Sequence, residues 1–281
     1  MINYSKLERG KVNNYHLGYT NKFLQEDSFE LVQKEILNFC NSVFTSNSLE
    51  SWNEVRHADE NIGKKKHFVF GGGYEGDTIE KFHKLIKENK LFYFSSLLEA
   101  FHTENFTDYI FKNLNLGLSY KPFRLVSKDF KQGLFGLREQ PVFMNFKLSC
   151  YPPESGIAFH RDNQRKLVGM LFYFGFSDNK NREIGGTQFA SDELASKTWS
   201  ENQVNHSFHN HPNLNIVHDH KPLPNSFAAF NINDHSWHRI DPYQSNEDIF
   251  RINLQINFMR VNKRTFPLKL FQKILSLIKK S

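Results

Sequence analysis

Two short stretches carry residues able to do chemistry together. FHRDN places His160 and Asp162 two apart, and SWHRI supplies His238. Two imidazoles and one carboxylate on one face of a metal leave three adjacent positions open, the arrangement that suits non-haem Fe(II) and oxygen activation. In an extended segment, His160 and Asp162 point to the same face and reach a single ion together. The H-x-D spacing alone is weak, because it arises by chance in many chains.

Other histidines compete. His209-x-His211 and His218-x-His220 each have the form of a bidentate pair, and His235 lies three residues before His238. A zinc site built from them is conceivable, but none of these pairs has strand patterning of comparable clarity on both sides, so solvated loop histidines are the default. His238 is preferred over His235 because it opens the extended segment RIDP at a workable distance from Arg251. HFVFGGGYEGD contains G-x-G-x-x-G at Gly71, Gly73 and Gly76. The second strand and acidic residue that a dinucleotide site requires are missing, so the glycines read as a turn.

The elements that must position these groups follow from periodicity. In VFMNFKLSCY, Val142, Met144, Phe146, Leu148 and Cys150 form one apolar face, while Asn145, Lys147, Ser149 and Tyr151 share the other. RINLQINF alternates likewise, Ile252, Leu254, Ile256 and Phe258 against Arg251, Asn253, Gln255 and Asn257. A strand with a polar inner face makes sense in a barrel that holds a polar ligand. Many short strands after about residue 135 suit a jelly roll of the cupin kind, giving an α+β class with a double-stranded β-helix core at 136–262.

The first part of the chain, 1–135, is expected to be mainly helical and to support the barrel. Phe29, Val32, Ile36, Phe39 and Val43 recur at helical spacing, with Asp27 and Glu30 in the form of a capping box. A second helix is expected from Asp77, burying Ile79, Phe82, Leu85 and Ile86, and helical patterning continues through SSLLEAF and FTDYIFKNL. The polar, histidine-rich stretch between Gly185 and Phe227 reads as a loop, with a lid at 187–225 as its functional version. The last segment, 263–281, is read as an amphipathic helix carrying Leu268, Phe271, Leu275 and Ile278. It packs on the barrel, with peripheral membrane contact through 266–280 as the second reading.

The bulk numbers set the class. Over 281 residues, 39% are apolar, 29 are Phe, and the formal charge is +6. These describe a folded globular chain rather than a disordered one. Lys and Arg are scattered rather than gathered on one face, which disfavours nucleic acid as a partner; the dense run Lys64–Lys66 reads as a solvated loop. Two cysteines are too few for a disulfide framework, the N-terminus lacks the apolar core of a signal peptide, and the longest apolar run, LVGMLFYFGF, is half a membrane span. A cytoplasmic protein is expected.

From about residue 140 to 260, the motifs SCYPPESGIAFHRDN, MLFYFG, IGGTQF, SWHRI and FRINLQINF occur in order. In this the chain resembles the Fe(II)/2-oxoglutarate-dependent dioxygenases, most closely the prolyl-hydroxylase-like branch. The resemblance implies Fe(II) on His160, Asp162 and His238, 2-oxoglutarate as co-substrate, O2 as oxidant and ascorbate as accessory reductant. It implies that Arg251 clasps the distal carboxylate of 2-oxoglutarate, since a guanidinium offers a planar two-donor fork. Tyr173 is the implied hydroxyl donor to the same carboxylate, and Tyr151 orients either cofactor or substrate. Halogenating relatives lose the carboxylate ligand, so Asp162 implies hydroxylation. The substrate is read as a small molecule, sugar or glycan, with peptidyl hydroxylation as the alternative and a non-catalytic cupin-like binding protein as the reading from a different class. Demethylation of nucleic acid is disfavoured because the repair enzymes carry a second arginine where this chain has Asn257.

Overall fold

The computed structural model describes residues 1–10, 12, 15–45, 52–55, 67–70, 77–116, 123–128, 130, 140–163, 165–191 and 214–261. The glycines of the G-x-G-x-x-G stretch, Lys64–Lys66, His209, His211, most of the expected lid and the expected C-terminal helix lie outside the described residues, as do the side chains of Val43 and Leu85.

The elements run β1 (Glu8–Arg9), β2 (Leu17–Thr20), α1 (Glu26–Thr45), β3 (Trp52–Val55), β4 (His67–Phe70), α2 (Ile79–Glu88), α3 (Phe92–Phe101), α4 (Glu104–Asn113) and β5 (Phe123–Leu125). Then come β6 (Gln140–Tyr151), β7 (Ile157–His160), β8 (Lys166–Phe176), β9 (Thr187–Ser191), β10 (Asn215–His220), β11 (Phe227–Asn231), β12 (Trp237–Ile240) and β13 (Arg251–Arg260). Strands β6 to β13 divide between two sheets. A larger sheet runs β1-β2-β11-β8-β13-β6-β4-β3, with β5 also on β6, and a smaller one runs β10-β9-β12-β7. Two four-stranded sheets built from eight consecutive strands make the double-stranded β-helix that the alternation predicts, and the earlier strands extend the larger sheet.

The helices lie on the outer face of the larger sheet. Phe146, Leu148, Leu254 and Ile256 are fully buried against Ile36, Phe82, Phe94 and Phe106 in one continuous core. That apolar face is what the period-two pattern of β6 and β13 provides, and their register pairs Lys147 with Gln255 and Tyr151 with Arg251 on the other face. Cys40 on α1 and Cys150 on β6 are both buried thiols, their sulfurs 3.6 Å apart.

Three expectations need correction. The first part of the chain is mainly helical as read, with α1 to α4, and what the reading lacked is β1 to β5, of which β2 and β4 flank the barrel strands β11 and β6. Such short strands carry too few residues to show a period by themselves. Asp27 lies inside the first turn of α1 and Phe29 N–H bonds the Gln25 carbonyl, so Asp27 does not cap the helix. Asp77 does not start α2 either, because its backbone pairs with Phe146 in a β-bridge, and the helical bonding begins from Thr78. Finally, the ends of the expected Gly185–Phe227 loop are β9 and β10, paired antiparallel. His218 and His220 therefore sit on a strand, and His220 is buried rather than solvated. No helix among the described residues is long and apolar enough to cross a membrane.

Candidate metal centre

β7 ends at His160, and β12 runs antiparallel beside it with His238 directly opposite His160. Asp162 follows two residues on, and the ligand atoms of His160, Asp162 and His238 lie within 4.8 Å of one another. The two imidazole rings are 4.3 Å apart between centroids, and His238 Nε2 is 3.8 Å from Asp162 Oδ2. His235, in the turn before β12, is not in this group.

The surroundings fix the state of each group. His160 Nδ1 lies 2.9 Å from the Ala158 carbonyl and His238 Nδ1 lies 3.1 Å from the Ser236 carbonyl. With Nδ1 donating to a carbonyl, Nε2 is the unprotonated nitrogen that offers a lone pair to a metal. Burial holds His238 below the ordinary imidazole value, against the pull of Asp162. For Asp162, burial pushes the carboxyl up, but Lys166 and the two histidines outweigh it and hold it well below the usual carboxylate range. Lys166 Nζ donates to Asp162 Oδ1 at 2.6 Å, whereas Oδ2 is buried and accepts no hydrogen bond. A buried carboxylate oxygen left over beside two imidazole nitrogens is a donor set suited to a divalent cation, and the three residues fit Fe(II).

Arg251, Tyr151 and Tyr173 are brought to the same interior but not to the metal group. Arg251 is wholly buried at the start of β13. Its Nη1 donates to the Asp241 carbonyl at 3.0 Å, while Nε and Nη2 have no hydrogen-bond partner. The guanidinium lies 4.9 Å from the Tyr151 ring and 5.6 Å from the Tyr243 ring. Gly185 makes room for it: φ is +67°, and a Cβ there would stand 2.6 Å from Arg251 Nη1. An arginine held this way with two unused N–H groups is shaped for an acid that the protein does not supply. Tyr173 hydroxyl meets Thr187 Oγ1 at 2.5 Å, and Tyr151 stacks on His67 at 4.5 Å. Burial raises the pKa of both tyrosines, so both stay hydroxyls.

A pocket opens beside the metal group, lined by His160, Asp162 and His238 together with Tyr151, Lys147 and Lys166. Burial draws the Lys147 ammonium down to about 8. Lys166, Thr187, His67 and the role of Lys147 were not anticipated from sequence. Strand parity did turn Lys147 inward, but Thr187, His67 and Lys166 meet their partners across turns or between strands, where a linear pattern carries no signal.

No protein-family model matches the sequence, and no curated protein matches it either. Solved structures do. A prolyl-4-hydroxylase from Pseudomonas putida aligns at 13% identity over 88% of this chain and 94% of its own, with a TM-score of 0.44. A full-length Neurospora crassa protein, solved in complex with alpha-KG, aligns at 14% identity over 89% of this chain and 76% of its own, with a TM-score of 0.41. AviO1 from Streptomyces viridochromogenes Tue57 aligns at 11% identity over 89% of this chain and 92% of its own, with a TM-score of 0.50. At such identity the likeness is one of fold. This chain shares with AviO1 a double-stranded β-helix, and within it His160, Asp162 and His238 converge.

Proposed function

We propose that the protein is an Fe(II)/2-oxoglutarate-dependent dioxygenase that hydroxylates a small molecule, sugar or glycan, with release of succinate and CO2. The observation that carries the reading is a pairing within one barrel: three convergent side chains able to hold a metal, and a fully buried arginine whose Nε and Nη2 have no partner.

His160, Asp162 and His238 would hold the iron, which when bound with 2-oxoglutarate and O2 supplies the oxidising power for inserting oxygen into a C–H bond. The chain's own residues do the rest. Lys166 keeps Asp162 ionised and fixes one of its oxygens, so the other is presented to the ion. Ala158 and Ser236 carbonyls set the imidazole tautomers. Arg251 offers Nε–H and Nη2–H to the distal carboxylate of 2-oxoglutarate, and the hydrogen-bonded Tyr173–Thr187 pair has one O–H left to donate beside it. Tyr151, braced by His67, orients what lies between the arginine and the metal ligands. Ile157, Phe230 and Ile240 line the pocket with apolar surface and thin out the water there.

A peptide is the second reading of the substrate, favoured by the resemblance of the SCYPPESGIAFHRDN segment to the prolyl-hydroxylase-like branch. The test is succinate release by the purified protein with Fe(II), O2 and 2-oxoglutarate in the presence of fractionated cell extract, coupled to mass spectrometry for a gain of one oxygen. Release above a His160→Ala control supports the reading, and oxygen gain on a peptide fraction selects the second substrate class. No release above that control with any fraction removes the enzyme reading.

A further inference from the structure

Two cationic side chains face the barrel interior from neighbouring strands, and the reading above uses only Arg251. The other is Lys147 on β6, paired in register with Gln255 on β13. Lys147 is 8% exposed and lines the same pocket as the metal ligands. Among the described residues it makes no hydrogen bond, and no carboxylate comes within 4.0 Å of it. Asp162 is the acid in that pocket, and Lys166 already engages it at 2.6 Å. The pocket wall therefore carries two ammonium groups and one carboxylate. An ammonium taken largely out of water is costly when no carboxylate touches it; Asp162 attracts Lys147 only from a distance and Lys166 repels it, so a chain that keeps it aimed into a cavity leaves a place for an anion.

That anion is not the distal carboxylate assigned to Arg251. Arg251 and Gln255 share a face of β13 four residues apart, roughly 13 Å between backbone positions at the strand rise, so the arginine and the Lys147–Gln255 pair stand on different stretches of the barrel wall. Arg251 is wholly buried behind Tyr151 and is not among the residues that line the pocket, whereas Lys147 and Gln255 are.

We propose that Lys147, with the side-chain amide of Gln255 beside it, is an anion subsite for the primary substrate, and that this substrate is a compact acid whose carboxylate pairs with Lys147. Its carbon body lies against Leu171 and Ile240 on the same pocket wall, next to the metal ligands. One ammonium and one neutral amide suit a single carboxylate; a phosphate more often gathers arginine forks or several backbone N–H groups. The proposal rests on the dioxygenase reading and narrows its substrate class.

The test uses the full chain with Fe(II) and 2-oxoglutarate. Without oxygen, the visible charge-transfer band of the ferrous 2-oxoglutarate chelate reports the co-substrate. With oxygen, succinate release is measured across a panel of small monocarboxylic acids and their primary amides. In the unaltered protein some acids are expected to stimulate release at least tenfold over their amides. Lys147→Gln should lose that preference, with the response to acids weakened about 10- to 100-fold, the range of a charge-assisted hydrogen bond. Its charge-transfer band should stay intact, and Lys147→Arg should recover part of the preference. The inference is overturned if no acid outperforms its amide, if Lys147→Gln keeps the preference, or if Lys147→Gln loses the charge-transfer band, since the lysine would then serve the co-substrate. Absence of the band in the unaltered protein is a separate outcome, which sinks the dioxygenase reading along with the proposal.

Discussion

β6 and β13 each present two faces, and the buried groups on those faces are satisfied in opposite ways. Outward, Phe146, Leu148, Leu254 and Ile256 pack against the helices in one unbroken apolar cluster. Inward, the same strands carry Lys147, Tyr151, Arg251 and Asn257, and hydrogen-bonding atoms there go without partners: Nε and Nη2 of Arg251 and Oδ1 of Asn257. Most buried polar groups in folded proteins are paired. Unpaired ones gathered on one side of a strand mark where binding, rather than folding, is expected to complete the structure. The alternation of a single strand thus separates stability from function by residue parity.

The largest effects should fall on opposite sides of that division. Phe146→Ala removes a fully buried ring from the outer face, and loss of about 3–5 kcal/mol of unfolding free energy is expected from the transfer and cavity terms. His160→Ala on the inner side should abolish metal binding and succinate release while changing metal-free stability by less than about 1 kcal/mol. Chemical denaturation and metal titration of the two variants check this. If both lose stability alike, the separation by parity does not hold.

How much of this was legible in the sequence follows from what period two can and cannot encode. Alternation needs only neighbours along one strand, so the inward set of β6 and β13 and the convergence of His160 and Asp162 could be read directly. Partnership between strands needs the register, which is long-range. Nothing local in Leu17–Thr20 says that it pairs with Phe227–Phe230 at the sheet edge. Nothing in IGGTQF says that Thr187 will meet the Tyr173 hydroxyl. The histidines of β10 were misread for a related reason: a six-residue strand broken by a register shift between Ile216 and His218 shows no clean period. Lys166 hid in another way, since an i,i+4 ion pair is a helical signature, and here it closes a turn between two strands.

A smaller effect tests the inner face alone. Arg251→Gln removes the buried fork and its charge and leaves a shorter, neutral amide. The affinity for 2-oxoglutarate should fall about 10- to 100-fold, as expected for a charge-assisted pair, while the affinity for Fe(II) in the absence of 2-oxoglutarate stays the same. Titration of the charge-transfer band against direct metal titration separates the two. Equal loss of both would mean that Arg251 supports the metal group structurally, and the assignment of its two unpartnered N–H groups to a ligand would fail.

The smallest expected effect concerns a group on the inner side that the proposed chemistry does not use. His220 is buried on β10, with the Tyr173 ring 5.8 Å away and His218 and Tyr19 also near, and its Nε2 has no partner. Burial, reinforced by His218, lowers its pKa to about 3. Its folded value thus lies below the ordinary value of about 6.5. Between the two, the unfolded chain binds a proton that the folded chain refuses, so stability must fall as pH drops from 6.5 toward 3. At pH 5.5, one unit into that window, the penalty is about 1 kcal/mol. His220→Gln removes the titrating group, and its metal-free stability should decline less than that of the unaltered protein between pH 7 and 5.5, by about that amount. Because His238 is also held low by burial and titrates in the same direction, the comparison must be made as a difference between variant and unaltered protein, not from one profile alone. An unchanged slope would mean that the interior around β10 admits water to His220, and that the barrel's inner side is less closed at this end than at Arg251.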